Sequence, residues 1–308
     1  MTNSNNIYNL LKLQLSHSSQ MTYHNCARKF EFTKLFNKGV SLQTVPMGAG
    51  SALHAGVQSY LTDYNIDKAI YNLSLDYPAE VYADFPVPTR SLEACVATLE
   101  DFINSGILYD YELVHIENFG PGREIFFEIH FPKLATHIPF SYIGYIDLLL
   151  KNKSTGEILV ADIKTHRDNQ VTEKAYKFSQ QCTPYSLVIG QALGQDTIEQ
   201  LNILYISMYI DIYKPETKLF YFTKSQADIT EWATEIRNDI LTIDDRMFNN
   251  KPFPRVIDAF PCRTCAFFDH CDERDTKFLK ENLDFFFPSR DDGKKHGTPT
   301  FSFNLEIS

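Results

Sequence analysis

Two apolar runs, Phe140–Lys151 (FSYIGYIDLLLK) and Glu157–Thr165 (EILVADIKT), are joined by Asn152-Lys153-Ser154-Thr155-Gly156. The joint is rich in turn formers, so the runs predict an antiparallel hairpin. Both carry charge where an apolar strand should have none: Asp147 in the first, Asp162 and Lys164 in the second. Side chains alternate along a strand, so Asp162 and Lys164 project from the face that holds Ile158 and Val160. The hairpin can bring Asp147 near Asp162 across the pair. Converging carboxylates repel one another, and a divalent cation removes that penalty, so the pair predicts a site for Mg²⁺ or Mn²⁺. An ammonium beside them can hold water or a phosphate and steady negative charge developing in a hydrolysis. The rival reading is a buried Asp–Lys ion pair of purely structural use. Asp/Glu-x-Lys alone says little, since such triplets also start at Glu216, Asp275 and Asp292; only the one at Asp162 ends an apolar strand.

The flanking pattern predicts a mixed α/β core with a helical N-terminal region. Glu124–Phe131 (EIFFEIHF) alternates as a strand, with Ile125, Phe127, Ile129 and Phe131 on one face. Upstream, helices are expected over Ser18–Phe36, with Cys26 inside, over Met47–Tyr64, and at about 66–77 and 89–113. Downstream, a helix is expected at 171–194, strands at 200–212 and 217–222, and a long helix at 225–247. The expected segments are a domain over 1–250, a cysteine-rich module over 251–288 and a tail over 289–308.

The formal net charge of −10 argues against a uniformly basic nucleic-acid coat protein and leaves room for a local basic groove. No apolar run is long enough to span a bilayer, and Met1–Met21 lacks a basic start followed by an apolar block. A cytoplasmic location is therefore expected, or the host cytoplasm for a viral chain, with no membrane partner. In that reducing setting six cysteines read as metal ligands or core residues rather than as three disulfides.

Two further features extend the acidic pair. His54 sits in the small-residue stretch Gly50–Gly56, which can approach a sheet closely, and its imidazole can complete a metal site; a lone helical histidine also reads as a satisfied core residue. Gln181 and Tyr185 are four apart, on one face if that segment is helical. Pro184 lies between them, so the helix is either disturbed there or starts at Pro184 with Thr183 as its cap.

The ordered series His54, Gly144-x-x-Asp147, Asp162-x-Lys164 and Gln181-x-x-x-Tyr185 resembles the RecB-type branch of the PD-(D/E)XK nucleases. The resemblance implies a restriction-endonuclease-type core, a mixed sheet flanked by helices. It implies His54, Asp147, Asp162 and the Ile163 carbonyl as ligands of Mg²⁺ or Mn²⁺, with Lys164 as the catalytic lysine. Gln181 and Tyr185 would make supporting DNA or active-site contacts, and Glu128 would be a weaker supporting acid. The sequence departs from the family in having Ile146 rather than proline before Asp147.

Cys262-Arg-Thr-Cys265 and Cys271 are three thiols in an aromatic stretch. A tetrahedral site needs a fourth ligand; His270 could make a zinc site locally but adjoins Cys271 awkwardly, and Cys95 and Cys182 read more simply as buried residues, so Cys26 is the preferred candidate. One N-terminal cysteine with a C-terminal Cys-x2-Cys-x5-Cys resembles the iron–sulfur staple of RecB-type nucleases, including AddB-like subunits and CRISPR-adaptation nucleases. That implies a [4Fe–4S] cluster, although Zn²⁺ accepts the same thiolates. Arg28, Lys29 and Arg263 flank these cysteines and read equally as a DNA-facing patch or as solvated charges. The expected function is a metal-dependent exonuclease on single-stranded DNA or DNA ends, with attack from 5′ ends implied by the iron–sulfur relatives. Expected partners are DNA and a helicase, recombination or CRISPR-adaptation protein. The alternatives are a catalytically silent DNA-binding scaffold and a zinc-stapled interaction module whose Phe301, Phe303 and Leu305 add a strand to a partner.

Overall fold

The computed structural model describes residues 8, 10–39, 44–84, 86–117, 119–193, 200–256, 262–263, 265–273, 278, 282–283, 287 and 301–307. Its first elements are β1 (Leu13–Leu15), α1 (His17–Asn25), α2 (Ala27–Phe30), α3 (Val45–Asp63), α4 (Ile66–Asp76), α5 (Ala79–Asp84) and α6 (Leu92–Ser105). The strands β2 (Tyr111–Leu113), β3 (His115–Ile116), β4 (Gly120–Pro121), β5 (Arg123–His130), β6 (Phe140–Asn152) and β7 (Ile158–His166) follow. Then come α7 (Tyr185–Ala192), β8 (Gln200–Tyr209), β9 (Glu216–Ser225), α8 (Gln226–Phe248) and β10 (Phe301–Asn304). No helix among the described residues is long and apolar enough to cross a membrane.

The chain divides into two compact units, one made of Met1–Leu42, Phe127–Gly144 and Thr230–Ser308, the other of Gln43–Phe126 and Tyr145–Ile229. The first unit therefore draws on segments from both halves of the chain. There β1 pairs in parallel with the start of β6, from Leu13↔Phe140 to Leu15↔Tyr142. β10 pairs in parallel with β5, from Phe301↔Phe127 to Asn304↔His130. The alternating tail thus pairs within its own chain instead of being held out for a partner, because β5 offers it an edge. The polar stretch before it, 289–300, lies outside the described residues. Trp232, Ile236, Ile240, Ile243 and Met247 recur at helical spacing along α8 and are buried; Trp232 meets Tyr142 edge-on at 5.2 Å.

The single helix expected over Ser18–Phe36 is broken in this unit. Ser16 caps α1 through a reciprocal bond with Ser19. Cys26 then turns extended (φ −163°, ψ 101°), so it lies at a break rather than inside a helix. The reason is tertiary: the Arg28 N–H donates to the Pro254 carbonyl, leaving the helical ladder.

In the second unit, β7 pairs antiparallel with β6 and parallel with β8, and β8 pairs antiparallel with β9. One apolar core joins α3, α4 and α6 to alternate residues of the strands, among them Leu53, Leu73, Leu99, Leu148, Ala161, Ile163 and Ile206. Cys95 is a plain member of it. The helix expected over 89–113 stops at Ser105, where Gly106 takes a left-handed cap (φ 62°). Tyr111–Leu113 instead adds to β6 as a short antiparallel strand.

Close approach of these helices depends on glycine. A Cβ on Gly56 of α3 would come 2.8 Å from Leu99 Cδ2 and 3.3 Å from Leu73 Cβ. Gly56→Val should destabilise the protein by about 1–3 kcal/mol in urea unfolding, despite valine's better helix propensity. An unchanged midpoint would mean that α3 has slack against α4 and α6.

Candidate active site

His54, Asp147, Asp162, Lys164, Gln181 and Tyr185 all lie in the second unit. The β6–β7 ladder runs from Lys151↔Ile158 to Leu148↔Ala161 and ends there. One further step would place Asp147 opposite Asp162. Asp147 Oδ2 instead accepts the Ile163 N–H at 2.9 Å, so a side-chain carboxylate closes the ladder where backbone pairing stops. β7 stays paired to β8 beyond that point, with Asp162↔Tyr205 and Lys164↔Ser207, and this holds the Asp-x-Lys segment rigid.

Asp162 is almost fully buried, its side chain 1% exposed. Its Oδ1 accepts from Gln181 Nε2 at 2.9 Å, and Lys164 Nζ stands 2.6 Å from its Oδ2. Lys164 Nζ also donates to Gln181 Oε1 at 2.8 Å, which closes a three-membered set. Gln181 reaches this set from a turn, because α7 begins only at Tyr185, after Pro184. The expected helix over 171–194 is thereby reduced to Tyr185–Ala192 and a 3₁₀ turn at Glu173–Ala175. A proline cannot donate inside a helix, so the helix starts beyond it. Gln181 and Tyr185 thus share no helix face; Tyr185 is buried at the first residue of α7.

His54 arrives from α3. A Cβ on Gly50, one turn earlier, would lie 3.2 Å from Thr165 Oγ1, so α3 rides close over the end of β7. His54 Nδ1 is 3.5 Å from Asp147 Oδ2, and the ring also hydrogen-bonds to the Ile163 backbone. Burial lowers the His54 pKa, against the pull of Asp162, which favours the neutral ring that metal ligation needs. Burial raises Asp162 to about 6, Lys164 opposing it and Asp147 adding to it. Burial would lower Lys164, but Asp162 and then Asp147 hold its pKa above the ordinary lysine value, so it remains a cation.

Two carboxylates, the Ile163 carbonyl and a neutral imidazole form a donor set suited to a hard divalent cation. Among the described residues no three His, Cys, Asp or Glu side chains stand ready to hold a metal as placed. Lys164 lies against Asp162 Oδ2, and binding would require those side chains to adjust.

Several neighbours carry no signal in the sequence motifs. Glu124, the second residue of β5, has a left-handed backbone (φ 47°), and its charge weakly opposes the lowering of the His54 pKa. Gln58 donates to the Asp147 carbonyl at 3.4 Å. Cys182 is fully buried beside Asp162 and its thiol is pushed well above the ordinary value, chiefly by burial, so it is no nucleophile. Glu128, expected as a supporting acid, belongs to the first unit, where it accepts from Ser141 at 2.5 Å and Gln14 at 3.0 Å. Strand alternation could have singled out His166, the next residue on the face of Asp162 and Lys164.

In the first unit Cys26, Cys262, Cys265 and Cys271 line one cavity of about 380 Å³ with Lys29, Phe32 and Arg255. All four are unpaired thiols of intermediate exposure. Burial raises the Cys271 pKa, and Cys26 and Cys265 are near enough to add to it. Arg28 is not a surface cation: it is 3% exposed, ion-paired to the buried Glu31, and bonded to the Glu273 carbonyl. A buried guanidinium needs such partners, which removes it from any DNA-facing patch. Lys29 and Arg263 are exposed.

A mixed sheet flanked by helices, with paired acids and a lysine at the end of one strand, defines a nuclease-type core. The family profile of the PD-(D/E)XK nuclease superfamily matches residues 14–272, and the chain belongs to that superfamily. No curated protein matches the sequence. Among solved structures, a candidate exonuclease from Eubacterium rectale is similar at 12% identity and a TM-score of 0.46, over 88% of this chain and 93% of that one. The protein SSO0001 is similar at 13% identity and a TM-score of 0.28, over 70% of this chain and 81% of that one.

Asp162 titrates higher folded than unfolded, so it supports folding most below 3.8 and withdraws that support as pH climbs through about 6. Carboxyl NMR of the metal-free protein should place its midpoint near pH 6. Lys164→Met should move the midpoint upward by about one unit. A midpoint near 4 in both proteins would contradict this arrangement.

Proposed function

We propose that the chain is a metal-dependent DNA exonuclease acting on single-stranded DNA or DNA ends, with attack from 5′ ends, and that a [4Fe–4S] cluster staples its first unit. The convergence of Asp147, Asp162, Lys164, Gln181 and His54 at the end of β7 carries the reading. His54, Asp147, Asp162 and the Ile163 carbonyl would hold Mg²⁺ or Mn²⁺, which when bound supplies Lewis-acid polarisation of a phosphate and a more acidic water. The raised pKa of Lys164 makes it a cation that steadies negative charge on the phosphate, not a proton acceptor. Gln181 orients both members of the Asp162–Lys164 pair. The neutral His54 adds a ligand without adding charge.

The cluster part of the proposal rests on the shared cavity of the four thiols. Four thiolates suit [4Fe–4S], and Lys29 and Arg255 at the same cavity offset part of the net negative charge. Such a staple would tie Cys26 to the cysteine-rich segment within one unit.

End-labelled single-stranded DNA should be degraded with Mn²⁺ or Mg²⁺ and left intact with EDTA. Asp162→Ala and Lys164→Ala should each lower kcat by about 10³-fold or more, and Gln181→Ala by about 10–100-fold. Full activity in either of the first two variants would refute the assignment. Anaerobically purified protein should be brown, with about four iron and four sulfide per chain; a colourless zinc protein would replace the cluster by a zinc staple.

A further inference from the structure

Arg90, in the 3₁₀ turn Pro88–Arg90 before α6, is 6% exposed. Its Nη1 is buried with no hydrogen-bond partner, and no carboxylate pairs with its guanidinium among the described residues. The titratable group that acts on it most strongly is Cys95, whose thiol burial pushes up to about 12, so it offers no negative charge at neutral pH. Arg167 adds a second positive charge to its surroundings, and the N-terminus of α6 follows directly. An arginine cannot shed its proton, so this is a buried cation for which no described residue supplies a counter-charge.

The same neighbourhood reaches the active-site face. β7 sets Asp162, Lys164 and His166 on one side at steps of about 7 Å. Arg90 acts electrostatically on His166, as does Lys164. The His166 ring is held by a hydrogen bond between its Nε2 and the Tyr176 hydroxyl, and Tyr176 stacks on Tyr205 at 4.5 Å, the strand partner of Asp162. The carboxylate nearest His166 by charge, Asp168, accepts the Gln170 N–H through Oδ1. Arg167 is exposed at the strand's end. Buried and exposed guanidiniums with a braced imidazole, one strand step beyond a phosphate-steadying lysine, suit an anion with several acceptor oxygens.

We propose that Arg90, His166 and Arg167 form a second phosphate-binding subsite that grips the nucleic acid next to the linkage presented to Lys164. The inference rests on the nuclease reading for its substrate, but the anion site itself does not require cleavage. The phosphate is either the strand's terminal phosphate or the next internal one.

The first test is thermal melting of metal-free protein in inorganic phosphate against chloride at equal ionic strength. Phosphate should raise the wild-type Tm by about 2–4 °C, and by less than half as much in Arg167→Ala and Arg90→Gln. Arg167 is exposed, so its variant keeps the test alive if Arg90→Gln fails to fold. The second test is cleavage of single-stranded oligonucleotides bearing a 5′-phosphate or a 5′-hydroxyl. Arg167→Ala should raise KM about tenfold, more than it lowers kcat. A rise confined to the 5′-phosphorylated substrate assigns the terminal phosphate. A rise shared by both, and reproduced in wild type by a neutral methylphosphonate beside the scissile linkage, assigns the internal one. Equal phosphate stabilisation and equal KM in wild type and variants would overturn the subsite. A phosphate effect that the variants lose, in a protein that cleaves nothing, would sustain the subsite and remove the nuclease reading.

Discussion

A carboxylate with almost no access to water organises the second unit. Asp162 sits at 1% exposure on a strand paired on both sides up to its own position, and burial alone pushes it toward the neutral form. Lys164, against its Oδ2, is the main influence opposing that push, while Gln181 holds its Oδ1. Each partner depends on a different part of the chain. Lys164 follows from strand alternation, and Gln181 depends on a turn that must finish before Pro184 so that α7 can start at Tyr185. Asp147 takes the Ile163 N–H, which stops the β6–β7 ladder one residue short and leaves the two acids facing one region instead of pairing their backbones.

The helical layer serves the same end. Gly50 brings α3 close over Thr165, and His54 follows one turn later on that face. Gly56, on the same helix, meets Leu73 and Leu99, so the surface that presents the histidine is continuous with the apolar core. Position and stability are therefore coupled: the small residues that allow tight packing also set where the imidazole stands. The buried Arg90 is the opposite case, a charge whose Nη1 meets no hydrogen-bond partner among the described residues, and the proposed phosphate would supply one.

In the first unit a different constraint dominates. Arg28 and Glu31 are buried together, with Tyr8 donating to Glu31 at 2.8 Å, and Arg28 also holds the Glu273 carbonyl. These bonds, with the Arg28 N–H on Pro254, break the first helix at Cys26 and turn that thiol toward the cavity shared with Cys262, Cys265 and Cys271. A cation that reads as surface charge beside a cysteine is in fact part of what positions the cysteine.

By itself the sequence determined the hairpin, the alternation that sets Asp162 and Lys164 on one face, the helical opening and the small-residue helix carrying His54. All of these rest on local periodicity and turn chemistry, which a single chain displays. It also marked Pro184 as a point where a helix must either bend or begin. Tertiary structure alone decided that Gln181 works from a turn, that Glu128 is satisfied in the other unit, that Arg28 is buried, and that the tail strand pairs with β5. It decided as well that Arg90 is buried with no counter-charge among the described residues. Each of these turns on which distant group meets a polar atom once solvent is excluded, and residue spacing carries no record of that.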